Sequence, residues 1–306
     1  MIPVRPVPED SDLSDSESPY PKVPHAWPYQ GVVNGGQSRA VAGAKVYVLQ
    51  VNSSGYGNSS VSLLSSENPP DAIGHYVISG EYGGFSIAGH YTCSAGHQVY
   101  IYARGGNSGD DGSNSAIGLM ALLGACPESG NFNAVAPFVF VNEVTTVVAA
   151  YALAPMAKDA THVVSSDADA AEISRASDFA NIASGTAYAT LPSSPRFQIP
   201  QAKIHTLANI LSACVNSNTP ASNGCAILFS NAPGASEPGA VPEETATAAI
   251  NIASHPRANI AALFGLQPRL AAPFQPALAS APQDFELPSF RAEANNKVAS
   301  LLADHR

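Results

Sequence analysis

Residues 137–155 read PFVFVNEVTTVVAAYALAP, an almost uncharged apolar run that contains a single acid, Glu143. Residues 138–141 favour a short strand, and Asn142 has a side chain that often caps the start of a helix. The apolar side chains that follow recur at the spacing of one helical face, namely Val144, Val147, Val148 and Tyr151. The stretch therefore predicts a strand that leads directly into a helix.

Glu143 occupies the first position of this predicted helix. A carboxylate there meets the positive end of the helix dipole, which stabilises a helix by roughly 0.3–1 kcal/mol. A catalytic carboxylate would need a second acid, a histidine or a metal in the same pocket, and the sequence offers none at a recognisable spacing. We therefore predict that Asn142 and Glu143 form a structural cap.

Upstream of this stretch, apolar residues alternate with a period of two. Residues 31–51, GVVNGGQSRAVAGAKVYVLQV, combine an Asn34–Gly35 turn with alternating apolar positions, which predicts a β-hairpin. Further short strands are predicted at HYVISG (75–80), GGFSIAGHYTC (83–93) and HQVYIYARGG (97–106). Residues 29–105 are thus predicted to form an antiparallel β-sandwich.

Residues 106–270 are predicted to be mainly helical. Their Ala-rich segments with helical spacing and Gly or Pro stops are 115–126, 167–187, 200–217, 242–256 and 257–266. Residues 271–306 are predicted to run extended and to end in a short helix. Residues 1–28 are Pro-rich and acidic, a composition typical of an extended tail. The sequence therefore predicts an α+β protein, in which the sandwich packs on an Ala-rich helical region.

The four cysteines form two predicted disulfides, Cys93–Cys126 and Cys214–Cys225. Neither pair has the CxxC spacing of a metal site, so we expect an oxidising compartment. Cys93 also lies between His90 and His97, which keeps a Cys–His nucleophile as an alternative.

The first residues lack a basic, apolar signal sequence, so a signal was either removed or never encoded. We expect an extracellular or cell-surface protein.

Composition argues against two classes of partner. The formal charge is −10 and the 14 Lys and Arg residues are scattered, whereas a nucleic-acid groove needs clustered cations. No apolar run approaches the ~18 residues of a membrane span. Asp110 and Asp111 lie in a Gly-rich turn and are candidate Ca²⁺ ligands, but the turn lacks the spaced acids of an EF-hand loop. No zinc, nucleotide or Ser-hydrolase motif is present, so we expect no cofactor and no enzymatic activity.

The order of several segments resembles a known family. GVVNGGQSRAVAGAKVYVLQV, SGYGNSSVSLLS, GGFSIAGHYTC, VNEVTTVVAAYALAP, IHTLANILSACVNS and NIAALFGLQP are similar to the N-terminal module of large exported acidobacterial surface proteins. In that family the module often precedes NHL-type or immunoglobulin-like repeats. The resemblance covers residues 30–287 and implies a secreted or cell-surface module that binds or builds structure, with no catalytic residues to carry over.

We therefore predict a non-enzymatic surface module for adhesion, display or self-assembly, with a sandwich of transthyretin-like or CnaB-like type. Its partners would be copies of itself or cell-surface components. An N-terminal tail donated to a neighbouring subunit would build a filament, and the residues expected to make that contact are Trp27, Tyr29, Val32 and Val33. The alternative is a carbohydrate-binding module that stacks sugars on exposed tyrosines, with Tyr76, Tyr82, Tyr91, Tyr100 and Tyr102 as the candidates.

Overall fold

A computed structural model describes residues 29–65, 68–87, 91–109, 112–165, 173–234, 240–268 and 270–287. The strands are β1 (Tyr29–Gly35), β2 (Arg39–Ala40), β3 (Lys45–Gln50), β4 (Val61–Ser62), β5 (Val77–Ile78), β6 (Gly84–Ile87), β7 (Gln98–Arg104), β8 (Gly118–Ala125), β9 (Phe138–Val141), β10 (Ala157–Asp159), β11 (His162–Val163), β12 (Ala180–Asn181), β13 (Thr186–Ala187), β14 (Thr190–Leu191) and β15 (Ser194–Gln198). The α-helices are α1 (Glu143–Leu153), α2 (Gln201–Val215), α3 (Asn223–Asn231), α4 (Thr245–Ser254) and α5 (Ile260–Phe264). The protein is therefore α+β, as the sequence predicts.

Two sheets contain most of the β structure of the described residues, and β10–β11, β12–β13 and β14–β15 form separate antiparallel pairs. The larger has the order β4-β3-β7-β8, with β5 also paired to β3, and all of these pairs are antiparallel. In the smaller sheet, β1 is central: it pairs antiparallel with β6 and parallel with β9, while β2 pairs with its end. Because β8 and β9 belong to these sheets, the β structure extends well beyond residue 105.

Both faces of the larger sheet are covered. Successive side chains of a strand point to opposite faces, so alternate residues pack in different layers. One face packs against the smaller sheet and includes Val46, Val48, Val99, Ile101 and Leu119. The other face packs against the helices and includes Tyr47, Leu49, Tyr100, Tyr102 and Met120. The molecule therefore has three layers, which are the smaller sheet, the larger sheet and the helices.

Helix α1 lies between the larger sheet and the other helices, and it confirms the prediction made from residues 137–155. It begins at Glu143 with Asn142 as its N-cap. The Asn142 Oδ1 accepts a hydrogen bond of 3.0 Å from the Thr145 N–H, and Thr145 Oγ1 accepts one of 2.9 Å from the Asn142 N–H. Nearly every side chain of the helix is buried, because α2 and α4 cover the faces that the sheet leaves open.

The helix predicted at 115–126 is wrong, because this segment contains strand β8. Its residues Gly118 to Leu122 are all buried, since both faces of the strand are covered. A strand buried on two faces loses its polar alternation and shows a continuous apolar run, which periodicity cannot distinguish from a short helix. Pairing with β7 along its whole length decides the outcome.

The helix predicted at 167–187 is also wrong over its second half. Residues 180–187 form the β12–β13 hairpin, and Arg175–Asp178 form a 3-10 turn. The helices predicted within 200–217, 242–256 and 257–266 are confirmed, and α3 was not predicted. Residues 270–287 carry no regular structure. The predicted tail at 1–28 and the predicted terminal helix lie outside the described residues. No helix in the described ranges is both long and apolar enough to cross a bilayer.

Candidate ligand-binding cleft

Both predicted disulfides are formed. Cys93 and Cys126 join the segment before β7 to the end of β8, with their Cα atoms 5.9 Å apart. Cys214 and Cys225 join the end of α2 to the start of α3. A sulfur atom in a disulfide cannot act as a thiolate, so the Cys93 nucleophile alternative is wrong. Two disulfides indicate an oxidising, extracellular environment.

The tyrosines predicted to stack sugars do not form an exposed row. Tyr91, Tyr100 and Tyr102 are buried, and Tyr76 is half-buried beneath Lys45. The Tyr100 hydroxyl lies 2.9 Å from the Ala160 carbonyl, a contact that belongs to the core. Of the five, only Tyr82 is widely exposed. A sugar-stacking surface on these rings is therefore not present.

Strand β1 is not free to receive a strand from another subunit, because β6 and β9 occupy its two edges. Tyr29 and Val33 are buried, and Val32 is half-buried. In the single chain these three residues pair and pack within their own sheet, and an assembly contact through them stays a prediction. Trp27 lies outside the described residues, as do Asp110 and Asp111, the candidate Ca²⁺ ligands.

A cleft of about 370 Å³ opens beside the start of α1. Its walls come from the end of β1, the 3-10 turn Gly36–Ser38, the β12–β13 hairpin, the start of α2 and residues 273–275. The Asn142 Nδ2 donates a hydrogen bond of 2.9 Å to the Gly185 carbonyl, which ties the hairpin to α1. Gly185 has φ +67°, and a Cβ there would lie 2.5 Å from the Asn142 Nδ2. The hairpin can approach the helix this closely only with glycine at this position.

The lining of the cleft is polar but carries no carboxylate, lysine or arginine among the described residues. Five of the lining side chains are carboxamides: Asn34, Gln37, Asn142, Gln201 and Gln275. Hydroxyl groups come from Ser38, Ser184 and Thr186, and aromatic rings from Phe140 and Phe274. The cleft therefore offers hydrogen-bond donors and acceptors without a formal charge.

Three of these carboxamides are anchored at one atom and open at the other. Gln201 Nε2 donates to the Ala187 carbonyl at 2.7 Å, and Gln37 Nε2 donates to the Ala271 carbonyl at 3.3 Å. Gln275 Oε1 accepts from the Ala277 N–H at 3.1 Å. The second polar atom of each amide has no partner in the described chain, and Gln37 and Gln275 are exposed to solvent. The Oδ1 of Asn34 also lacks a partner but is buried away from solvent.

His205 lies at the side of the cleft formed by α2. Burial lowers the pKa of the imidazole, although the carbonyls of Pro276 and Gln275 oppose this effect. Its Nδ1 is 2.9 Å from the Pro276 carbonyl, and its ring lies 6.3 Å from the ring of Phe274. Hydrogen bonding to a carbonyl fixes the tautomer with the proton on Nδ1. His205 therefore joins the C-terminal segment to α2 and contributes no charge to the cleft.

Glu143 lies behind one wall of the cleft and is completely buried. Its Oε1 accepts a hydrogen bond of 2.9 Å from the Gly36 N–H, and its Oε2 has no partner among the described residues. Burial raises the pKa of the carboxyl to about 8, although the N–H groups of Glu143 and Gly36 oppose this. The position predicted for Glu143 is confirmed, but its environment is not that of an exposed charge at a helix end.

The 3-10 turn that Glu143 contacts is strained. Gln37 and Ser38 have φ values of 63° and 57°, in the left-handed region that side chains disfavour. Asn216 Nδ2 donates to the Gly36 carbonyl at 3.3 Å, so both polar groups of the Gly36 backbone are held. The buried carboxyl and Asn216 thus fix the wall that presents Gln37 to the cleft.

A second polar cluster surrounds Arg104, beside a cavity of about 300 Å³. Its buried acid, Glu244, accepts hydrogen bonds from the N–H groups of Ala246 at 2.6 Å and Thr247 at 2.7 Å, so it caps α4. Burial raises the pKa of Glu244, and these N–H groups oppose the rise. Because capping accounts for the buried position of Glu244, this cluster is a weaker candidate than the cleft.

The described residues contain no group of three or more His, Cys, Asp or Glu that could hold a metal ion.

Comparisons of the chain with protein-family models, with curated proteins and with solved structures found no match. The cleft is therefore interpreted from its own chemistry. Its residues were not predicted from the sequence, except for Asn142 as a helix cap. Single amides and hydroxyls spread from Asn34 to Gln275 have no recognisable spacing, and Asn34 was interpreted as a turn residue although it lies in β1.

Proposed function

We propose that the protein is a non-enzymatic extracellular module that binds an uncharged polar ligand in the cleft and acts in adhesion at a cell surface. The observation that carries this proposal is the set of open carboxamide atoms on Gln37, Gln201 and Gln275, in a lining without formal charge. Clefts with a few fixed polar groups are the usual form of small-molecule sites. Gln37, Gln201 and Gln275 are each anchored at the other end of the amide, so little conformational entropy is lost when a ligand binds.

Three further observations support the assignment. The two disulfides fit an exported protein. The two packed sheets fit the transthyretin-like or CnaB-like sandwich expected for such modules. The resemblance to exported acidobacterial surface proteins implies the same setting and a role in binding or structure. Self-assembly through the N-terminal tail remains a prediction.

NMR spectroscopy of the full-length, disulfide-bonded protein tests this proposal. The side-chain amide signals of Asn34, Gln201 and Gln275 would be assigned by mutation and followed while a library of small neutral polar compounds is added. We expect shifts of these signals, with those of the exposed Gln30 unchanged. If no compound shifts the cleft signals, or if shifts gather at Arg104 instead, the proposal is wrong.

A further inference from the structure

We propose that the ligand of the cleft is a neutral saccharide, held by carboxamide hydrogen bonds to its hydroxyl groups and by the rings of Phe140 and Phe274. This inference rests on the proposed function and names the ligand class of the same site. It places the saccharide in the cleft and not on the tyrosines of the larger sheet, whose rings are mostly buried.

The first argument is the kind of hydrogen bond that the cleft leaves open. Gln37 Oε1 and Gln201 Oε1 are acceptors without partners in the described chain, whereas Gln275 Nε2 is an open donor. A ligand that replaces water on these atoms therefore donates two hydrogen bonds and accepts one. A hydroxyl group does both, since it carries one donor and two acceptor lone pairs. A molecule with many hydroxyl groups satisfies this set without any charge.

The second argument is the charge of the lining. A phosphate or uronate would lose its hydration on entering a cleft without lysine or arginine, and a ligand cation would find no lining carboxylate. The nearest acid, Glu143, is turned to the Gly36 N–H behind the wall. The lining therefore disfavours both anionic and cationic ligands, whereas a neutral ligand has no such cost.

The third argument is the pair of half-buried rings. Phe140 and Phe274 both line the cleft and are partly open to solvent. One face of a pyranose ring consists of C–H groups, which pack on an aromatic ring while the hydroxyls at the rim bond to amides. A volume of about 370 Å³ lies at the lower end of the ~300–1,000 Å³ range of small-molecule sites, so a short unit fits better than a long chain.

The test is a titration of the full-length protein with defined trisaccharides. The neutral probes are maltotriose, cellotriose, mannotriose, xylotriose and N,N′,N″-triacetylchitotriose, and the charged probe is trigalacturonate. Gln37→Ala and Gln201→Ala remove open acceptors, and Gln30→Ala is the matched control because its side chain is an exposed carboxamide on β1, away from the cleft. Calorimetry measures the Kd, and thermal melting confirms that each variant is folded.

We expect at least one neutral trisaccharide to bind, with the Kd raised about tenfold by each cleft variant and unchanged by Gln30→Ala. Trigalacturonate should bind more weakly than that neutral probe. If no neutral trisaccharide binds at about 10 mM while other neutral compounds shift the cleft amides, the saccharide inference is wrong and the proposed function stands. If neither kind of compound reaches the cleft, both are wrong. Binding that the cleft variants leave unchanged also overturns the inference.

Discussion

The Gly36 N–H donates a hydrogen bond of 2.9 Å to Glu143 Oε1 across 107 residues of sequence. This contact joins the first turn of α1 to the strained turn that forms a wall of the cleft. Glu143 is thus a positioning residue: it touches the backbone that presents Gln37 and is not among the residues that line the cleft.

The first prediction concerns the pH dependence of stability. The Glu143 carboxyl loses its proton near its usual pKa of 4.5 in the unfolded chain and only at about 8 in the folded protein. Between these values the folded state binds more protons, so the free energy of unfolding falls as the pH rises through this window and levels off above about 8. Urea unfolding at pH 5, 7 and 9 should show this fall.

Glu143→Gln should remove this part of the pH dependence. At pH 5 its stability should lie within about 1 kcal/mol of the natural protein, because a glutamine Oε1 still accepts the Gly36 N–H. At pH 9 the variant should be the more stable of the two. Glu81→Gln, at an exposed position, is the control and should keep the natural pH profile. Identical pH profiles for the natural protein and Glu143→Gln would contradict the prediction.

The second prediction concerns the cap of α1. Asn142→Ala removes the acceptor for the Thr145 N–H and the donor to the Gly185 carbonyl, both of them buried. We expect a loss of about 2 kcal/mol or more, measured by denaturant unfolding. Asn142→Ser should lose less, since a serine hydroxyl can still cap the helix. Equal stability of all three proteins would show that the cap contributes nothing.

The third prediction concerns the two disulfides, which close loops with sequence separations of 33 and 11. Replacing both cysteines of a pair by alanine should lower the free energy of unfolding by about 4 kcal/mol for Cys93–Cys126 and about 3 kcal/mol for Cys214–Cys225. Peptide mapping without reduction checks the pairing itself. Free thiols in the natively isolated protein would refute it.

The fourth prediction concerns the contact between β8 and α4. A Cβ on Gly118 would lie 1.6 Å from Glu244 Oε2, the atom that accepts the Ala246 N–H. Gly118→Ala must displace this buried cap, so we expect a loss of more than about 2 kcal/mol. Gly84→Ala is the control, because no atom lies within 4 Å of its Cβ position. Similar melting temperatures for the two variants would argue against this packing.

Local chemistry was enough to predict several elements. Asn142 with its helical apolar face located α1, and the alternation around Val46 and Val48 located β3. The helix cap and the alternating pattern can both be read from the sequence, because each is contained within one short segment. The paired cysteines were predicted for the same reason, since their spacing excluded a metal site.

Elements that depend on distant partners were not predicted. Strand β8 is apolar on both faces because one face packs on the smaller sheet and the other packs on the helices. The sequence of the strand does not show that helices will cover its second face. The cleft was not predicted for a related reason. Asn34, Gln201 and Gln275 are ordinary surface amides in sequence, and only the tertiary fold brings them together. The buried state of Glu143 likewise depends on Gly36 and Asn216.

The parallel pairing of β1 with β9 has a consequence for how the chain acquires its structure. Gln30 lies opposite Phe138, so the smaller sheet is incomplete until a loop of more than a hundred residues has closed. Closing such a loop costs entropy before any contact repays it, which slows folding in chains rich in distant contacts. A nascent chain that has been synthesised only as far as β8 would expose the edge of β1 that later pairs with β9. Exposed strand edges promote aggregation. The smaller sheet therefore forms only after β9, the last of its strands in the sequence, has been synthesised.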